Sequence, residues 1–142
     1  MAPAAGRHEW QIAPTFQSVD QLCVEFTARL SAPALEPHIF ALQLLVREAL
    51  NNAVLHGSAE TPVGQIKCVL ELSESEARVS VADNGPGFNW QAAQGRKPST
   101  GNLETGRGLH IYQLYADKIE FNAAGNQVTL TRRLEPRPNE PD

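Results

Sequence analysis

Residues 84–108 are so rich in Gly, Pro, Asn, Ser and Thr that no regular element fits them. They separate two stretches that alternate apolar and polar residues. A loop of that length inside a compact domain is uncommon unless it covers a site. Before it, Ile66–Leu72 and residues 77–82 alternate around the polar Ser73-Glu74-Ser75-Glu76, which predicts a hairpin. After it, residues 108–117 predict a short helix, and residues 118–123 and 127–132 predict two strands about the Gly125-Asn126 turn.

The first third of the chain reads as mostly helical. Residues 10–13 predict a short first strand. Ser18 is read as the N-cap of a helix reaching Leu30, with Val19, Leu22, Cys23, Phe26 and Leu30 at helical spacing. Pro37 suits a first helical position, and a long helix follows to His56, closed by Gly57. The sum is an α+β sandwich, a mixed and largely antiparallel sheet covered on one face by helices, with the long loop between the layers. Residues 9–134 are expected to form one domain. Residues 1–8 and the Pro-rich 135–142 are expected to be flexible ends.

Bulk properties exclude several functions. At 142 residues the chain suits one domain, and a net charge of −4 gives no electrostatic footprint for nucleic acid. No run approaches the ~20 apolar residues of a membrane span, and no signal-peptide core opens the chain, so a cytoplasmic protein is expected. Cys23 and Cys68 form no Cys-x-x-Cys pair and read as reduced packing residues.

On the long helix, Glu48, Asn52 and His56 recur every four residues, each advancing about 40° around the axis, so they share a polar stripe. Leu42, Leu45, Val46, Ala49 and Ala53 cover the inward side. Asn52 offers a neutral carbonyl oxygen suited to Mg²⁺, and Glu48 one turn earlier suits a proton acceptor. Taken alone, the pair equally describes a solvated helix face. His56 at the helix end reads as structural, and Asn51 as an ordinary polar or packing residue.

Asp83 follows a strand and precedes Asn84-Gly85-Pro86-Gly87. A carboxylate fixed at a strand end can accept from the exocyclic amine of adenine, and Gly85 and Gly87 leave room for a flat base. An ordinary Asp-Asn-Gly turn has the same letters. Gly106, Arg107 and Gly108 precede a helix starting at Leu109, where glycines and free amides suit phosphate. Arg96, Lys97 and Arg107 are three candidate cations for a γ-phosphate, and the sequence does not choose among them. There is no Walker motif and no Rossmann fingerprint.

These three elements, in this order, resemble the Bergerat-type ATPase fold shared by gyrase and histidine kinases, over about residues 40–132. The resemblance implies Glu48 as general base, Asn52 as Mg²⁺ ligand and Asp83 as adenine contact. It implies Gly87 in the base pocket, Gly106 and Gly108 in a phosphate lid, and Thr129 near adenine. No phosphoacceptor hairpin is expected from the segment before Pro37. Glu48-Ala49-Leu50-Asn51-Asn52-Ala53-Val54-Leu55-His56-Gly57 is similar to the anti-sigma-factor serine kinases of bacterial partner-switching modules. That family implies ATP-dependent phosphorylation of a STAS-domain anti-anti-sigma partner, sequestration of a sigma factor, and a homodimer. Two alternatives remain at this point: a nucleotide-organised module that sequesters a partner with little or no kinase activity, or a detached histidine-kinase catalytic domain.

Overall fold

The computed structural model describes residues 6–56, 65–83 and 103–134, and in them the expected α+β architecture forms. Strand β1 (Gly6–Ile12) is followed by α1 (Phe16–Ala28), a 3-10 turn (Pro33–His38) and α2 (Ile39–His56). Then come β2 (Ile66–Leu72), β3 (Glu76–Ala82), α3 (Leu103–Tyr115), β4 (Lys118–Phe121) and β5 (Gln127–Arg133). The sheet order is β1-β2-β3-β5-β4, and every pairing among these strands is antiparallel.

Strand alternation builds a two-sided sheet. Cys68 pairs with Val81, Leu70 with Val79, and Val79 in turn with Leu130. All of these are buried on the side that the helices cover. The intervening residues form the other face, where the row Glu9, Val69, Ser80, Thr129 and Glu120 runs across all five strands. Lys67 and Arg7 both reach Glu9 there, at 3.3 and 2.8 Å. Solvent screens exposed pairs of this kind, so they add little to stability.

Helix α2 is the central beam of the helical layer. Its helix formers run without Gly or Pro, and Leu42, Leu45, Val46, Ala49, Leu50 and Ala53 are buried at three- and four-residue spacing. Each fully buried leucine contributes about 1.5–3 kcal/mol. Helix α1 adds Val19, Leu22 and Phe26, and the Phe26 ring lies 6.1 Å from Trp10 of β1. Cys68 is buried, which pushes its thiol up to about 12, and both cysteines are free thiols. Among the described residues no helix is long and apolar enough to cross a membrane.

Several boundaries differ from the sequence reading. The first strand starts at Gly6, so residues 6–8, expected to be flexible, pair with Leu72, Glu71 and Leu70. The cap of α1 is Thr15, not Ser18: the Thr15 hydroxyl accepts from the Ser18 N–H at 3.1 Å. Pro37 sits inside a 3-10 turn that leads into α2 rather than opening it. Helix α3 begins at Leu103, five residues before the expected start. Gly57 and residues 135–142 lie outside the described residues.

One arginine ties the far end together. Arg132 of β5 donates from Nη1 to the carbonyl of Tyr115, the last residue of α3, at 2.7 Å. Its Nε donates to His38 Nδ1 at 3.0 Å. The same side chain thus satisfies a helix C-terminal carbonyl and anchors the 3-10 turn.

Candidate functional site

Glu48 and Asn52 of the expected stripe share one side of α2, where Gly108 and Tyr112 of α3 meet them. Glu48 is 8 % exposed although it carries a carboxyl group, and Asn52 is half-buried one turn later. The bare backbone of Gly108 presses onto both. A Cβ built there would stand 2.7 Å from Asn52 Nδ2 and 3.2 Å from Glu48 Oε1. Only glycine lets α3 come this close to α2 without moving either side chain.

One turn beyond Gly108, on the same side of α3, the Tyr112 hydroxyl accepts from Asn52 Nδ2 at 3.2 Å. Tyr112 is 3 % exposed. Burial pushes the pKa of its hydroxyl well up, and the nearby Glu48 carboxylate pushes it further, against the hydrogen bond from Asn52. The phenol therefore stays protonated. Sequence reading missed this residue. Its signal was the four-residue step from Gly108, which places a polar-tipped aromatic on the glycine's own helix face.

Asp83 continues the inward parity of Val79 and Val81, just past the end of β3. Its backbone N–H donates to the Asn126 carbonyl at 3.0 Å, so the β4–β5 turn fixes it. That turn is closely hydrogen-bonded: Asn122 Oδ1 accepts from the N–H groups of Gly125, Asn126 and Gln127, and Gly125 takes a φ of 78°. The strand end on the helix-covered face thus carries a half-buried carboxylate.

Other expected site residues are placed differently. Thr129 does not join the group. It lies on the opposite face of the sheet, opposite Ser80, with the two hydroxyls 3.2 Å apart. The parity of β5 explains this, because Val128 and Leu130 take the inward positions. Gly106, Arg107, Gly108 and Leu109 belong to α3 itself rather than to a loop ahead of it. The first four N–H groups of a helix lack partners within it. The N–H groups without a partner inside the helix are therefore those of residues 103–106, while those of Gly108 and Leu109 are taken up by the helix. Leu109 is buried in the core. Gly85, Gly87, Arg96 and Lys97 lie outside the described residues.

The arrangement suits an anionic, metal-borne substrate. The tyrosine occupies the nitrogen end of the Asn52 amide, so the neutral carbonyl oxygen remains as a donor for a hard cation. Glu48 supplies a carboxylate four residues away on the same helix.

The family model described as the histidine kinase-like ATPase domain matches residues 12–132. The chain is 30% identical over 117 residues to the anti-sigma F factor of Bacillus cytotoxicus, covering 77% of each chain. It is 31% identical over 101 residues to the serine-protein kinase RsbW of Bacillus subtilis, covering 66% of this chain and 63% of that protein. The match to RsbW of Bacillus mycoides is 29% over 102 residues, and again the chain spans 63% of the relative's length.

Proposed function

We propose a function for this chain from one premise: it belongs to the histidine kinase-like ATPase domain family. The chain binds ATP with Mg²⁺ and transfers the γ-phosphate to a serine of a STAS-domain anti-anti-sigma protein, and it sequesters a sigma factor. The relatives named serine-protein kinase and anti-sigma F factor support this reading. The observation that carries it is the buried Glu48 beside Asn52, with Gly108 held against both.

Each residue has a task in that reaction. Asp83 accepts from the adenine amine at the end of β3. The open amides at the start of α3, within Leu103–Gly106, face the phosphates. Asn52 Oδ1 would hold Mg²⁺, whose chemistry is to neutralise the charge that builds on the phosphates. Glu48 takes the proton from the attacking serine hydroxyl. As the new O–P bond forms, the bond from the γ-phosphorus to the bridging oxygen breaks and ADP leaves. The acceptor hydroxyl comes from the partner protein, and the protein acts in a cytoplasmic setting, as a homodimer.

The test is to incubate the protein with labelled ATP, Mg²⁺ and a STAS-domain protein from the same source. Acid-stable label should accumulate on a serine of the partner and vanish with Glu48→Ala. Label no higher than in that variant would remove the kinase reading and leave only nucleotide-organised sequestration. Acid-labile label on a histidine would instead indicate a histidine-kinase catalytic domain.

A further inference from the structure

We propose that Tyr112 is a positioning residue that decides which end of the Asn52 amide faces the nucleotide. The proposal rests on the metal-ligand role given to Asn52 above. An asparagine amide has nearly the same shape after a half-turn about its last torsion, so packing alone does not choose between its oxygen and its nitrogen. A hydrogen-bond partner has to choose.

Three observations single out Tyr112. Its hydroxyl lies 3.2 Å from Asn52 Nδ2, in hydrogen-bond range. Its ring is buried in the core, which fixes where the hydroxyl sits. The approach of Gly108 brings the same nitrogen end of the amide against α3. Two successive turns of α3 therefore hold the amide's nitrogen side, and the oxygen is left as the free end.

Tyrosine can donate or accept, so something must turn its lone pair toward Asn52. Glu48 Oε1 and Asn52 Nδ2 meet the same point of α3, 3.2 and 2.7 Å from where a Cβ on Gly108 would stand, so a carboxylate lies on the nitrogen side of the amide. Negative charge on that side favours the amide's N–H over its oxygen, and the phenol then accepts from Nδ2. The three residues then form one unit: the Glu48 charge and the phenol lone pair keep the amide nitrogen inward, and the amide presents oxygen to a cation. A phenylalanine at 112 would keep the ring's packing and remove the acceptor, which frees the amide to rotate.

The experiment uses the full chain and reads two quantities. In the ligand-free wild type, the side-chain amide protons of Asn52 should show a shifted resonance and slowed solvent exchange by NMR. Exchange at the rate of an exposed asparagine would overturn the proposal whether or not any variant folds. In Tyr112→Phe, affinity for ATP with Mg²⁺ should fall about fivefold to tenfold. Affinity for ATP in chelator should stay within about twofold, with the melting temperature within a few degrees. A wild-type response to Mg²⁺ in Tyr112→Phe, alongside loss of that response in Asn52→Ala, would sink the tyrosine's role and leave the metal site intact. Survival of the Mg²⁺ response in Asn52→Ala would instead sink the metal reading, and this proposal with it.

Discussion

A side chain on Gly108 and the amide of Asn52 cannot occupy their present places together, because a Cβ would lie 2.7 Å from Asn52 Nδ2. The glycine sits inside a helix, where alanine is ordinarily better by about 1 kcal/mol. Here the gain is opposed by overpacking of about 1–3 kcal/mol, since Glu48 Oε1 also stands within 3.2 Å. The clash falls on an amide already engaged by Tyr112, so the cheapest relief is to rotate Asn52 and break that bond.

Gly108→Ala should therefore change stability by no more than about 2 kcal/mol while weakening Mg²⁺-dependent ATP binding tenfold or more. Denaturant titration and calorimetric binding on one preparation check both. A variant that is more stable and binds normally would show that the close approach of α3 is incidental.

Thr15→Ala should remove the cap of α1. The hydroxyl accepts the Ser18 N–H and also donates to the Ser18 Oγ at 2.9 Å. Loss of a threonine cap costs about 1 kcal/mol. Urea unfolding should show a lower midpoint with an unchanged slope, and nucleotide affinity should not move. Ser18→Ala keeps the capping hydroxyl and should cost less. The reverse order would return the cap to Ser18.

Local pattern carried some parts of the architecture and not others. The β2–β3 hairpin was legible because Ile66, Cys68, Leu70 and Leu72 alternate with Lys67 and Glu71, and only a half-buried strand has that period. The cap of α1 was misplaced because Thr15 and Ser18 are both capping residues, and the first residue of the buried stripe, Val19, favours the nearer one. The first turns of α3 were read as loop because Thr105-Gly106-Arg107-Gly108 has low helix propensity. What decides there is tertiary: the glycine that weakens the isolated helix is the one that seats it on α2. Thr129 was misassigned because the facing of β5 is set by its register with β3. The Tyr112–Asn52 bond spans sixty residues, so no local window contains it.

Stability should fall as the pH drops below the ordinary histidine value. His38 has its pKa lowered from 6.5, first by burial and then by the positive charge of Arg132; a backbone hydrogen bond at Leu134 and the charge of Asp117 oppose this. The unfolded chain therefore takes up the proton more readily than the folded one. The neutral imidazole's contribution is fully present above 6.5 and is lost as pH falls through the lower, folded value. Protonation also removes the Nδ1 lone pair that accepts from Arg132. Urea titrations at about pH 8 and about pH 5.5 should show a larger loss in the wild type than in His38→Gln, whose amide oxygen can still accept from Arg132. Equal losses would show that His38 does not contribute to the acid sensitivity.

Asp83→Asn should narrow the preference for ATP over GTP. The carboxylate has only acceptors to offer an adenine amine, whereas an amide offers a donor as easily and so tolerates the guanine carbonyl. A hydrogen bond to a charged group is worth about 1.5–3 kcal/mol, so ATP affinity should drop roughly tenfold to a hundredfold while GTP affinity holds or rises. The backbone N–H of Asp83 keeps its bond to the Asn126 carbonyl in the variant, and the β4–β5 turn that fixes the position is untouched. Melting temperature should therefore stay close to that of the wild type, which separates lost recognition from lost folding. Competition of unlabelled ATP and GTP against a fluorescent nucleotide gives the ratio directly, and an unchanged ratio would move adenine recognition away from the end of β3.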